Sequence, residues 1–358
     1  MPNIEDLDPN FKVKQEFDEK GIAFRDIEEE PFKIYGVKKQ PTNRQPNGQY
    51  CRMDDEVART VSDGTYWLNR NTAGGRVRFK TNSPSVTILC AQSGVHNQSH
   101  MCRTGSSGFD LYLESDNGAS IYKGSFIPPF DSTSGYVSSI NIGNGEMKNV
   151  CINFPLYSNV IDLQIGIKND CVLEAPKPYT IEKPIVFYGS SITQGGCASR
   201  PGNSYQGFVS RHFDCDFLNL GYSGNAKGEK AASEYIKKLD MSVFVYDYDH
   251  NAPTPEHLKE THEKFFKDIR DANPELPIIM MSRPRCVNDK DTVTRREIIE
   301  TTYKNALANG DKNVYFLNGE QLMALCGNDG TVDDCHPNDL GFFSMAQALI
   351  GVLEKIFN

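Results

Sequence analysis

From Ile185 to Phe357 the chain alternates short apolar runs with stretches of helical period, and that alternation leaves few folds open. The apolar runs are residues 185–188, 217–222, 243–246, 278–281 and 314–317. Between them, residues 204–213 place Tyr205, Phe208, Val209 and His212 on one side. Residues 228–239 do the same with Ala231, Ala232, Tyr235, Ile236 and Leu239. Thr254-Pro255-Glu256 supplies an N-cap and a proline at the first helical position for a helix reaching residue 273. A helix over 291–307 stops at Asn309-Gly310, and Asn338 caps a last one running to residue 357. Strands separated by helices predict a parallel sheet covered on both faces, a three-layer α/β/α domain. Sites in such sheets collect at the carboxyl edge.

The first half has a different texture. Residues 1–30 are acidic with little apolar periodicity, which suggests an arm or a short leading helix. Between residues 32 and 175 short strands are expected over 32–37, 76–80, 85–91, 109–114, 120–126, 150–154 and 160–167, with no competing helical run. Clusters of Asn, Gly, Ser and Pro separate them, which argues for a β-sandwich or jelly roll. Three prolines in Ala175 to Pro184 make a stiff connector. The expected boundary lies near Tyr179, giving a β accessory domain over 1–178 and an α/β domain over 179–358.

Composition excludes some functions. A net charge of −9 argues against a nucleic-acid surface. The first residues lack the basic and apolar regions of a secretory signal, and no window is expected to approach a membrane span of roughly 18 apolar residues. The ten cysteines form no CxxC pair, so free thiols and a cytoplasmic setting are expected, without a membrane partner. Homo-oligomerisation stays open.

Chemistry concentrates at four places on one sheet edge. Ser191 follows the first strand in Gly189-Ser190-Ser191-Ile192-Thr193-Gln194-Gly195; taken alone, such a turn is as often chemically silent. Gly224 follows the second strand, Asn251 the third, and Asp333-Asp334-Cys335-His336 precedes the final helix. A serine needs a base to become a nucleophile, and His336 can supply it. Asp333, three residues back, can fix the imidazole tautomer. The N–H groups of Ser191 and Gly224 and the amide of Asn251 can stabilise an oxyanion. A glycine at 224 keeps a side chain out of the substrate's way.

These four blocks, in this order, resemble the SGNH hydrolase superfamily, the GDSL-type esterases, over about residues 183–358. The resemblance implies nucleophile Ser191, oxyanion groups Gly224 and Asn251, and the Asp333/His336 pair. Two departures change the walls of the site: Ser190 stands where the family has Asp, and Asp249-His250-Asn251-Ala252 replaces Gly-x-Asn-Asp. His250 is a rival base, but no acid stands at an orienting spacing, so a structural or substrate-contact role is preferred.

Gly108-Phe109-Asp110-Leu111-Tyr112 resembles the Gly-x-Asp-Leu-Tyr motif of a β domain that precedes such catalytic domains in gut bacteria. The whole chain is therefore similar to two-domain carbohydrate acetyl esterases, including those acting on mannan oligosaccharides. The implied function is a cofactor-free and metal-free serine esterase that deacetylates plant oligosaccharides, mannan first and xylan next. Two alternatives stay open: an esterase, lipase or thioesterase on other acyl groups, and a silent carbohydrate-binding protein. Arg200, Arg283 and Arg285 are candidate sugar contacts, although each could equally close a salt bridge. Trp67 could stack on a sugar ring, but a lone indole is more often core. The His96/His100 pair has the spacing of a metal site on a helix, but it stands in what reads as a loop, which argues against a metal there.

Overall fold

The computed structural model describes residues 4–8, 21–95, 98–115, 119–287 and 289–357. Its second half is the expected parallel sheet. Strands Ile181–Gly189, Cys215–Gly221, Val243–Asp247, Ile278–Met281 and Val314–Leu317 stand in spatial order 2-1-3-4-5. Each pair is parallel and in continuous register except for one irregularity between Ile181 and Ile185. Helices Tyr205–Phe213 and Asp339–Phe357 cover one face. Helices Lys230–Ile236, Pro255–Ala272 and Lys290–Ala308 cover the other.

The strand that ends at Gly189 has a neighbour on both sides, so the turn carrying Ser191 emerges from the middle of the sheet. Because the order reverses beside this strand, its carboxyl end opens on the crevice where such folds place their sites.

The last helix corrects one expectation. Asp339–Phe357 is long and apolar enough, by length and composition, to cross a membrane. Here Phe342, Met345, Ala346, Leu349 and Leu353 are fully buried against Val209, Tyr205 and the sheet, as in the core helix of a packed domain.

The first half packs two large antiparallel sheets over one apolar core, with a small two-stranded sheet of Lys38–Gln40 and Gln49–Cys51 beside them. One orders Ile22–Asp26, Asp162–Lys168, Ser85–Ala91 and Gly135–Asn141. The other orders Leu173–Glu174, Arg76–Thr81, Lys148–Asn153, Phe109–Glu114 and Ser120–Phe126, with Lys33–Tyr35 also on Arg76–Thr81. Strands Ile22–Asp26 and Gly135–Asn141 were not expected; the first lies within the acidic stretch read as an arm or a short leading helix, of which the helix Ile4–Leu7 is a single turn.

A second correction concerns helices. Asp55–Val61 and Asp63–Leu68 interrupt the β region, capped by the side chains of Asp54 and Ser62. Too short to show a helical period, they are held by tertiary contacts: Met53 and Ala58 are buried in the core beneath Leu220, Tyr222 and Ala232. Met101, Leu156 and Tyr157 likewise enter the core that holds Ile192 and Phe187. The β half is thus built into both cores of the α/β half.

Candidate active site

The turn carrying Ser191, the candidate nucleophile, is fixed by side-chain bonds, most of them to its backbone. Ser190 caps the short helix Ser191–Gln194, its Oγ accepting from Ile192 N at 3.2 Å. Thus the residue that departs from the family pattern holds a structural bond and leaves Ser191 at the first helical position. Asn219 Nδ2 and Gln206 Nε2 both donate to Thr193 O at 2.7 Å. Asp247, at the end of the adjacent strand, accepts from Thr193 Oγ1 at 2.5 Å and from Ser190 N at 3.5 Å. Gly189 is required there, since a Cβ would meet that carboxylate at 2.1 Å. Burial pushes Asp247 up to about 7, against those hydrogen bonds and aided by Asp249.

The three expected groups meet. Ser191 Oγ lies 2.9 Å from His336 Nε2, and His336 Nδ1 lies 2.8 Å from Asp333 Oδ2. Asp333 Oδ1 also accepts from the His336 N–H at 2.7 Å and the Cys335 N–H at 3.1 Å. Asp334 takes the left-handed conformation, φ +61°, which turns the loop so that acid and imidazole face each other. Burial would raise the Asp333 pKa, but the bonds from His336 overcome it and hold the carboxyl below its ordinary range.

The oxyanion candidates surround the same edge. Gly224 has φ +68° with open space where a Cβ would stand, so glycine suits the backbone as well as the clearance. Among the described residues neither the Ser191 N–H nor the Gly224 N–H has an acceptor. Asn251 Nδ2 donates to Tyr222 O at 2.9 Å, which ties the third strand's loop to the second's. Gln194 joins the first: its Oε1 accepts from Ser223 N at 3.0 Å.

Residues 182–354 match the family model described as "GDSL-like Lipase/Acylhydrolase family". They belong to that family. Residues 22–173 match the "N-terminus of Esterase_SGNH_hydro-type", the GxDLY domain, so both halves of the chain are those of an SGNH-type esterase. No curated protein sequence matches the chain. Among solved structures, a Bacteroides ovatus protein assigned as a GDSL-like lipase is 29% identical, with TM-score 0.80 over 94% of this chain and 98% of its own. A salicylyl-acyltransferase from a tetracycline biosynthetic pathway is 16% identical, with TM-score 0.74 over 94% and 98%. An acetyl xylan esterase from Butyrivibrio proteoclasticus is 15% identical, with TM-score 0.57 over 93% and 98%. The last two are likenesses of fold.

In this SGNH-type esterase the candidate sugar-binding arginines are all engaged. Arg283 is nearly buried and bonds Asp249 at 3.2 Å and Asp291 at 3.1 Å. With Arg295, which donates to the carbonyls of Asp249 and Ala252 at 3.0 Å, it braces the loop that presents Asn251. Arg285 pairs with Asp334 at 2.7 Å, beside the triad. Arg200 bonds Asp110 at 3.1 Å and the Tyr112 hydroxyl. Trp67 is half-exposed, and the Arg44 guanidinium lies 3.4 Å over its ring. His250 Nδ1 lies 3.8 Å from Cys335 Sγ. Burial, then Arg283, His336 and Arg285, push its pKa down to about 3, so it stays neutral.

Several contacts around the site lie beyond the roles assigned from sequence. Asp110 of the Gly-x-Asp-Leu-Tyr motif, whose role spacing does not reveal, accepts from Gly202 N at 2.8 Å and Asn153 Nδ2 at 2.7 Å besides Arg200. It pins the loop leaving the nucleophile turn. The far side of that loop is tied to the final helix by Ser199 N and Asn203 Nδ2, both 2.8 Å from the Asp339 carboxylate. Tyr157 donates to Ser191 O at 3.1 Å. His100 stands with its ring 5.5 Å from that of His336; its sequence partner His96 lies outside the described residues. The sequence signals for these contacts were the motif itself and, for His100, its spacing from His96.

Proposed function

We propose that the chain is a serine esterase that removes O-acetyl groups from oligosaccharides, those derived from mannan first and from xylan second. The observation that carries the catalytic part is the continuous relay from Ser191 Oγ through His336 to Asp333, at 2.9 and 2.8 Å. The carbohydrate part is supported by the Gly-x-Asp-Leu-Tyr half and by the likeness to a carbohydrate esterase.

In this mechanism Ser191 Oγ attacks the acetyl carbonyl carbon while His336 Nε2 takes its proton. Asp333 stabilises the imidazolium without becoming protonated. The oxyanion rests on the Ser191 and Gly224 N–H groups and Asn251 Nδ2, each donor worth about 10²–10³ in rate. His336 then protonates the departing sugar oxygen. Water, deprotonated by the same imidazole, releases acetate from the acyl-serine.

The test is acetate release from acetylated mannan and xylan oligosaccharides by the wild type and Ser191→Ala. Release by the wild type alone, faster on mannan, is expected. A wild type that leaves both glycans acetylated while cleaving an aryl acetate overturns the carbohydrate assignment. A folded wild type that hydrolyses no ester and takes no fluorophosphonate label overturns the catalytic one.

A further inference from the structure

We propose that the same centre is a binding site for a soft divalent cation, Zn²⁺ first, held by His100, Cys197 and His336, and that the bound ion switches the esterase off. The ligating atoms of these three side chains all lie within 4.8 Å of one another. A tetrahedral zinc site with bonds of about 2.0–2.3 Å sets its ligand atoms roughly 3.3–3.8 Å apart, so a closure of about 1 Å completes it. The exposed His100 has the room to make that movement. Cys197 and His336 are anchored: Cys197 is buried in the core, and its N–H donates to Pro337 O at 2.9 Å.

The hydrogen bond that makes His336 a base also makes it a ligand. With Nδ1 held on Asp333, the lone pair sits on Nε2, and a carboxylate behind the imidazole is the usual support of a zinc-bound histidine. Two nitrogens and a thiolate are a donor set that zinc favours, with a fourth position left for water. Neither His100 nor Cys197 has a part in the ester chemistry above. A cation on Cys197 takes the place of the thiol proton, which leaves to solvent. The three ligands come from the β half, from the loop after the nucleophile turn and from the final loop, so the site exists only when both halves are docked. An ion on Nε2 occupies the lone pair that would deprotonate Ser191, 2.9 Å away.

The inhibition rests on the esterase reading; the binding does not. The experiment is zinc titration of the full chain against a chromogenic chelator, for the wild type, Ser191→Ala, His100→Ala and Cys197→Ser. One tight equivalent is expected in the first two, with at least tenfold weaker affinity in the last two. In parallel, aryl acetate hydrolysis should fall to near zero with one equivalent of Zn²⁺ and return on chelation. The midpoint of inhibition, relative to each variant's own zinc-free rate, should shift by the same factor. Unchanged zinc affinity in His100→Ala overturns the proposal, as does binding that survives Cys197→Ser but is lost in Cys102→Ser. The chelator titration decides the binding even if no ester is hydrolysed.

Discussion

The proposed nucleophile and its proposed base are held by opposite means. Ser191 is only 9% exposed and sits at the end of the sheet's second strand in space, its turn bonded by Asn219 and Ser223 of the neighbouring strand and its loop, by Gln206 of the next helix and by Asp247 of the third strand. His336 and Asp333 have side chains 23% and 36% exposed, on a loop closed by one isolated bridge between Thr331 and Pro337. The bonds that orient the imidazole and its backbone run to a carboxylate three residues away. Placing the serine is therefore a property of the core, whereas placing the base is a property of one side chain. Substitutions on the serine's side should cost stability before rate, and those on the base's side rate before stability.

The largest expected effect tests the base. In Asp333→Asn the Oδ1 acceptor for the two backbone N–H groups can persist. The amide NH₂ then faces Nδ1 and demands an acceptor there, which moves the ring proton to Nε2. A histidine protonated at Nε2 cannot take the serine's proton. We expect kcat/KM to fall by about 10³–10⁴-fold, with the free energy of unfolding changed by about 1 kcal/mol or less for so exposed a group. A rate loss under tenfold would break the contrast.

The next effect tests the serine's side through pH. Asp247 titrates near 7 when folded and near the ordinary carboxylate range when unfolded. A folded-state pKa raised in this way contributes stability that is fully present below about pH 4 and is lost as pH rises toward about 7. Asp247→Asn mimics the protonated acid and should flatten that part of the curve. Thermal midpoints of both proteins between pH 4.5 and 8 measure it: the wild type should lose stability relative to the variant as pH rises. Parallel curves would remove Asp247 from the account.

What the sequence disclosed follows the same division. The parallel strands were legible because each is a short apolar run bounded by helical period, and strands Ile278–Met281 and Val314–Leu317 lie where expected. Ser191, Asp333 and His336 were legible because a strand end and an Asp-x-x-His spacing announce them. Strand Ile22–Asp26 was not, since its Arg25 and Asp26 break the apolar pattern and pairing with Asp162–Lys168 supplies what propensity does not. The helices Asp55–Val61 and Asp63–Leu68 are stabilised by caps and by burial against residues more than 150 positions away, which no local window contains. Asp110 was visible as a motif, yet its partners Arg200 and Gly202 belong to the other half of the chain. His100 reaches the site through a docking of halves that spacing cannot express.

The smallest expected effect asks whether that docking matters to the serine. Tyr157, from the β half, donates to Ser191 O, and its buried ring packs beside Ile192. Two other donors reach the same carbonyl: Gly195 N at 3.0 Å and Gly196 N at 2.9 Å. Tyr157→Phe keeps the ring and removes one bond of three, so the carbonyl is not orphaned. The net worth of such a bond is about 0.5–1.5 kcal/mol, and that loss should appear as a lower unfolding midpoint. The rate should change by less than about threefold, because the turn that aims Oγ is still held by its own core. A fall of tenfold or more in kcat with little change in stability would mean that the β half aims the nucleophile directly. The contrast would then lie between the halves of the chain rather than between the serine and its base.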